Sequence, residues 1–195
     1  FVLWISPSLS QLTRMPEAPI DLSPDYINVN ALKVVNRLTS GYQAYLVGGC
    51  VRDLLLGNHP KDFDVATNAH PDEVHELFRN SRLIGRRFKI VHVRFGREII
   101  EVATFRAPHS EQQTEQNFSD EGMILSDNIY GTFSEDSARR DFTVNALYYD
   151  PENDTIHDEV KGVEDLGKRQ IRLIGDPDSR YREDPVRMLR ADSIK

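Results

Sequence analysis

The sequence predicts an α+β domain, and three observations predict it. Apolar residues recur at helical spacing in several separate stretches, as at Val29, Leu32, Val35 and Leu38. Short strand-like runs lie between those stretches, and two of them, 89–95 and 98–105, alternate around Gly96 as a hairpin does. No internal repeat is visible, which argues against a solenoid. The expected sheet is mixed, largely antiparallel and flanked by helices.

Residues 1–24 carry Pro7, Pro16, Pro19 and Pro24 among serines and read as a mobile extension. A helix follows over 28–38, stopped by Gly41. Residues 45–47 form a short apolar strand that ends in Gly48-Gly49. A helix over 50–56 comes next, with Val51, Leu54 and Leu55 turned inward. Residues 62–66 are a second strand. Pro71 suits a first helical position, and Val74, Leu77 and Phe78 give that helix its apolar face. The 89–105 hairpin follows, with Val91, Val93 and Phe95 on one face of its first strand. Residues 107–128 are polar and without period, and read as a mobile loop. Ser134 is the expected N-cap of a short helix leading into Arg139-Arg140-Asp141. Residues 146–149 and 155–157 flank a Pro-Glu-Asn-Asp turn as another hairpin, and 171–174 is a last strand. Asp184-Pro185 opens a helix with Arg187 and Arg190 on one face.

Composition narrows the function classes. The chain has 195 residues, 39% apolar and 28% charged, which suits a globular domain with a real core. Its formal charge of −7 does not advertise a nucleic-acid binder. Locally the sign reverses: Arg79, Arg82, Arg86, Arg87, Lys89, Arg94 and Arg97 fall in a stretch with no acidic residue. Such a stretch attracts polyanions, or else is an ordinary solvated face. The single cysteine, Cys50, excludes an internal disulfide and fits a reducing, cytoplasmic setting. The apolar run at 1–5 is too short to span a membrane, and no membrane association is expected.

The chemistry concentrates at 45–65. On a strand, residues i and i+2 share a face, so Asp62 and Asp64 would stand side by side while Phe63 and Val65 face the core. Two carboxylates that close repel unless a cation neutralises them, and hard Mg²⁺ is the usual partner. Gly48-Gly49 lets a ligand approach the backbone, and the following helix start with Arg52 offers donors to a phosphate. There is no Gly-x-x-x-x-Gly-Lys-Ser/Thr and no Gly-x-Gly-x-x-Gly, which excludes a P-loop and argues against a dinucleotide fold. Each part is weak alone. Together, within about twenty residues, they point to nucleotidyl transfer. A third carboxylate would complete such a site, and two residues offer one: Glu101, mid-strand, and Asp141, after two arginines. The ordinary alternatives are a cross-strand ion pair for Glu101 and a salt-bridged helix end for Asp141.

Three segments carry a family resemblance: 45–65; Arg-Arg-Asp-Phe-Thr-Val-Asn-Ala-Leu at 139–147; and Arg-Glu-Asp-Pro-Val-Arg-Met-Leu-Arg at 182–190. They resemble the head and neck motifs of the class II tRNA nucleotidyltransferase and bacterial poly(A) polymerase superfamily, in the right order over 26–191. Within it, 82–93 is similar to the segment that marks the bacterial poly(A) polymerases. The resemblance implies a DNA polymerase β-like head over 25–176 and the start of a helical neck at 177–195. It implies Asp62 and Asp64 as metal-binding catalytic residues, with Asp141 as the further acid, ranked above Glu101. It implies nucleotide contacts from Gly48, Gly49, Arg52 and Arg140, and base reading or nucleotide holding by Asp184, Arg187 and Arg190. The implied reaction is template-independent addition of AMP from ATP to an RNA 3′-hydroxyl, with Mg²⁺ and release of pyrophosphate. A CCA-adding enzyme is the alternative within the superfamily, and a nucleotide-binding module without polymerase activity is the alternative outside it. Two departures stand out. Cys50 replaces the family's usual Gly or Ala; it is expected to be tolerated as a small residue, the alternative being a thiol whose pKa the helix start lowers. Residues 191–195 do not follow the neck pattern, so the RNA grip is expected beyond this segment.

Overall fold

Capping and alternation explain where the elements begin and which way they face. The computed structural model describes residues 2–4, 24–85, 88–107 and 129–194. Strand β1 is Val2–Trp4. Helix α1, Val29–Thr39, starts where the Asn28 side chain accepts the backbone N–H groups of Asn30 and Ala31 at 2.7 and 3.1 Å. It buries Ala31, Val34, Val35 and Leu38. Val29, expected on the apolar face, is 60% exposed, because it falls one turn too early to reach the sheet. Strand β2, Ala44–Val47, runs into helix α2, Gly49–Leu55, through Gly48 at φ +80, a conformation that favours glycine. Strand β3 is Asp64–Thr67, and helix α3, Pro71–Leu77, has proline in its first turn as expected. Strands β4, β5 and β6 are Ser81–Ile84, Ile90–Phe95 and Glu98–Thr104. Helix α4, Phe133–Arg139, is capped by Thr132 rather than the expected Ser134. Thr132 and Glu135 exchange side-chain-to-backbone bonds as a capping box, and Ser134 instead donates to Glu159 at 2.8 Å. Strands β7 and β8, Tyr148–Asp150 and Thr155–His157, form the expected hairpin. Helix α5, Gly162–Gly167, strand β9, Gln170–Arg172, and helices α6, Pro177–Glu183, and α7, Val186–Ser193, complete the chain.

Seven strands form one mixed sheet in the order β4–β5–β6–β3–β2–β7–β8, and helices flank it, as the α+β prediction requires. Only β3 and β6 pair in parallel among the described strands; the other neighbours are antiparallel. One face packs Val65, Val91, Val93, Ile100 and Val102 against α1, α2 and α3. The other face holds a smaller cluster of Val47, Ala66, Phe105 and Tyr148, with Tyr45 and Phe133 against it. Ala191 and Ile194 join the larger core, so the α7 end is packed on the sheet domain.

Four elements went unpredicted: β1, β4, α5 and α6. Each is short, and α5 and α6 are rich in charge, so no apolar period marks them. The expected mobile extension is anchored at its start, where β1 pairs antiparallel with β9, Val2 opposite Arg172 and Trp4 opposite Gln170. An edge strand with free backbone groups accepts such pairing. The rest of the extension, most of the 107–128 loop, and Arg86 and Arg87 lie outside the described residues.

A tight joint fixes the segment that follows α4. The turn Thr143–Asn145 sits on α5, where a Cβ at Gly162 would fall 2.1 Å from the Thr143 carbonyl oxygen. Gly162→Ala is therefore expected to destabilise the fold by about 3 kcal/mol, read by urea denaturation. Below that joint Asp165, only 1% exposed, accepts Thr143 Oγ1 at 2.7 Å and both Nε and Nη2 of Arg172 at 3.0 Å.

Candidate active site

A cleft of about 430 Å³ opens where β3, β6, α2, the end of α4 and helix α7 converge. Its floor holds Gly48, Gly49, Asp64 and Glu101. One wall carries Asp136, Arg139, Arg140, Asp141 and Asn145; Asp184, at the C-terminal end of α6, and Arg187 and Arg190 of α7 complete the lining. Phe88 and Arg106 close the opposite side, the Arg106 guanidinium 5.0 Å from the Phe88 ring centre. Phe88 lies close to Gly85, φ +90, where a Cβ would stand 2.0 Å from the Phe88 carbonyl oxygen.

Asp62 and Asp64 do not share the strand that the argument for the pair assumed. Strand β3 begins at Asp64, so Asp62 lies in the preceding segment, exposed and outside the cleft lining. The residue registered beside Asp64 is Glu101, its partner across the parallel β3–β6 ladder. Burial, then the Glu101 charge, push the Asp64 carboxyl up to about 6; Arg140 works against them, and Asp62 adds the smallest push. Glu101 also lies 3.2 Å from Nε2 of His92, its partner on β5. Asp141 is differently engaged. Its carboxylate accepts the Phe142 N–H at 2.8 Å and Arg190 Nη1 at 3.0 Å.

Arg140 is held for duty at the floor. Its Nε and Nη2 donate to Asp136 at 3.2 and 3.1 Å, its Nε also to the Tyr148 hydroxyl at 2.7 Å, and its guanidinium lies over the Tyr148 ring. Its Nη1 is 3.9 Å from where a Cβ at Gly48 would stand. Burial disfavours its charge, but Tyr148 and Asp136 outweigh that and hold the guanidinium firmly protonated. Asp136 is likewise kept below the usual carboxylate range: burial opposes its charge, and Arg140, the Tyr148 hydroxyl at 2.6 Å and the Arg106 N–H at 3.0 Å prevail.

Arg52 does not line the cleft. Its Nη1 donates to Asn145 Oδ1 at 2.7 Å and its Nε to Asp53 at 2.9 Å, so it braces the Gly48-Gly49 turn against the 143–145 turn. Arg187 is buried, with Nη1 donating to the Arg180 carbonyl at 2.6 Å and to Glu183 at 3.1 Å, and its Nε has no hydrogen-bond partner among the described residues. Arg190 bridges Asp141 and Asp184, reaching the latter at 2.9 Å. Arg180 Nη2 donates to the carbonyls of Arg139 and, at 2.6 Å, Arg140, tying α6 to the α4 end of the cleft.

Cys50 takes the small-residue role expected of it, and the lowered-pKa alternative falls away. The thiol is buried rather than at the helix mouth, and burial pushes it up to about 12. It donates to the Val47 carbonyl at 3.3 Å and acts as a small core residue. The native chain at pH 8 is expected to react with a thiol reagent at least about 100-fold more slowly than the unfolded chain. Equal rates would contradict this burial.

Sequence reasoning missed Asn145, Asp136, Arg106 and Phe88. Asp136 had a visible signal, four residues before Arg140 on one helix face. The other three carry none. Among the described residues no three His, Cys, Asp or Glu side chains converge to enclose a metal, and no helix is long and apolar enough to cross a membrane.

Comparison with known proteins fits this geometry. The chain is 58% identical over 178 residues to poly(A) polymerase I of Haemophilus influenzae, covering 89% of this chain and 39% of that one. It is 42% identical over 173 residues to a CCA-adding enzyme of Lactobacillus helveticus, covering 88% of this chain and 41% of that one. Among solved structures, the Bacillus stearothermophilus CCA-adding enzyme in complex with CTP aligns with a TM-score of 0.68 at 38% identity, over 83% of this chain and 37% of that one. The chain thus spans about 40% of the length of the curated relatives it matches. The family description "Poly A polymerase head domain" matches residues 44–172, at the strands and turns that build the cleft, and the chain belongs to that family.

Proposed function

We propose that this chain is the catalytic head of a template-independent RNA adenylyltransferase. It transfers AMP from ATP to an RNA 3′-hydroxyl and releases pyrophosphate. The observation that carries the reading is the floor of the cleft, with Asp64 and Glu101 in register beside Gly48-Gly49 and a braced Arg140 facing them. High identity to poly(A) polymerase I proteins supports adenylate over other nucleotides.

In this reading the triphosphate lies over Gly48-Gly49, where no side chain stands in its way, and Arg140 Nη1 meets its oxygens. Asp184 and Arg187 offer an acceptor and donors to the base edge, so nucleotide choice needs no template. The donors fit Mg²⁺. They are hard carboxylate oxygens, and Mg²⁺ takes one or two carboxylates together with substrate phosphates rather than a closed protein cage. Asp64, Asp62 and Glu101 would hold it, with Glu101 ranked above Asp141 because Arg190 already engages Asp141. When bound, the ion neutralises the triphosphate and makes the attacking hydroxyl more acidic. Substrates of this kind place the protein in the cytoplasm.

A second reading has its own support, since a CCA-adding enzyme shares this fold with a TM-score of 0.68. An RNA primer incubated with each nucleotide separately, plus Mg²⁺, tests both. ATP-only extension of generic RNA ends is the expected result. Addition of CTP to tRNA lacking its 3′ end would favour the CCA-adding reading. Nucleotide binding without extension would identify a binding module.

A further inference from the structure

None of the described basic residues of the stretch 79–97 lines the cleft. The stretch's described strand residues nevertheless sit on the catalytic face of the sheet. The register runs Asp64 to Glu101 to His92 to Arg82, one residue from each of β3, β6, β5 and β4. All four side chains therefore share one face, and Arg94 joins them two residues along β5. Arg82 and Arg94 are exposed and have no ion-pair partner among the described residues. Ile84 and Ile99 lie on the same face, 42% and 43% exposed. The opposite face of these strands is core, with Val91, Val93, Ile100 and Val102 buried.

We propose that this β4–β5–β6 face is a track for the last few nucleotides of a single-stranded RNA 3′ end. The inference rests on the reaction proposed above and says where its acceptor lies. Arg82 and Arg94 meet backbone phosphates, and Ile84, Ile99 and the His92 ring meet bases and sugars. Charge selects the occupant. In a chain of net charge −7, this is an exposed pair of arginines without acidic partners among the described residues, and a polyanion supplies what they lack there. Geometry selects its direction. Arg82 stands two strand spacings, about 10 Å, from Glu101, so a strand held there delivers its terminal hydroxyl to the Asp64–Glu101 end of the row. Apolar and aromatic contacts do not discriminate among bases, which suits an acceptor of any sequence.

The test uses this chain and a fluorescein-labelled 15-nucleotide oligo(A) RNA, with anisotropy measured across a salt series. Arg82→Ala/Arg94→Ala is expected to weaken binding about tenfold or more, and to make the log–log salt slope shallower by about 1.4, two single-strand phosphate contacts' worth. Mg·ATP binding by equilibrium dialysis should be unchanged. Lys33→Ala/Arg37→Ala removes the same charge from α1, on the other side of the sheet, and should leave the slope as it was. Unaltered RNA binding in the first variant, equal loss in the second, or no binding by the parent chain overturns the proposal. Primer extension on the same preparations separates the two ideas. Extension with an unchanged RNA affinity in the Arg82/Arg94 variant removes the track and leaves the reaction. Arginine-dependent RNA binding without extension by any nucleotide does the reverse.

Discussion

Asp64→Asn is expected to reduce adenylate incorporation by at least about 1,000-fold while leaving the fold intact. The substitution keeps the shape of the side chain and removes only its charge. That charge is costly to the folded protein, because burial and the neighbouring Glu101 push the Asp64 carboxyl up to about 6. Asn has no such penalty. The variant should therefore be slightly more stable than the parent, by about 1 kcal/mol once the solvent open to this residue is allowed for. Gain of stability with loss of activity is the mark of a residue kept for chemistry. Single-turnover incorporation and thermal melting measure the two effects. Retained incorporation would sink the role given to Asp64. Glu101→Gln should likewise lower kcat more than it raises KM for ATP, whereas Asp141→Asn should act through the Arg190 it holds.

Arg140→Ala is the second large effect, and it is one of stability and binding together. Asp136 is 7% exposed and relies on Arg140 for two of its hydrogen bonds. Removing the guanidinium leaves a buried carboxylate with too few partners, at a cost of about 3–5 kcal/mol. Arg140→Lys recovers charge but not the forked geometry, so it should fall in between. Replacing the pair together, Asp136→Leu with Arg140→Met, should be less destabilising than Arg140→Ala alone, yet should lose ATP binding in full. Guanidinium denaturation and equilibrium dialysis separate the two. The pair also sets an acid limit. Asp136 is held below its ordinary range, so its contribution is present above the unfolded carboxyl value near 3.8 and is lost as pH falls through the lower folded value. Asp136→Asn should lack that part of the acid transition.

What was legible in the sequence was local. Gly48-Gly49, the helix after it and the hairpin around Gly96 follow from residues close in the chain, and they stand where the pattern put them. The Asp62–Asp64 argument assumed a strand already formed at Asp62. The strand begins two residues later, and the neighbour of Asp64 comes from β6. No periodicity reports which strands will be adjacent, so Glu101 could be suspected and not placed. Arg52 illustrates the same limit in reverse. Its position beside the glycines suggested a ligand contact, whereas Asn145, distant in sequence, takes its Nη1 donor and makes it a brace. At Cys50 the helix position allowed a lowered thiol pKa as an alternative, but the medium around the thiol is core, and it serves as the small residue the sequence favoured.

The one parallel ladder has a consequence for how the protein comes into being. Antiparallel neighbours such as β2 and β3 meet through a modest excursion of the chain, but β3 reaches β6 only after α3, β4 and β5 have been laid down between them. The glycine turn can therefore take shape before Asp64 and Glu101 face each other. An incompletely folded chain presents a phosphate seat without its paired acids. Competence waits on a pairing that no local turn can make.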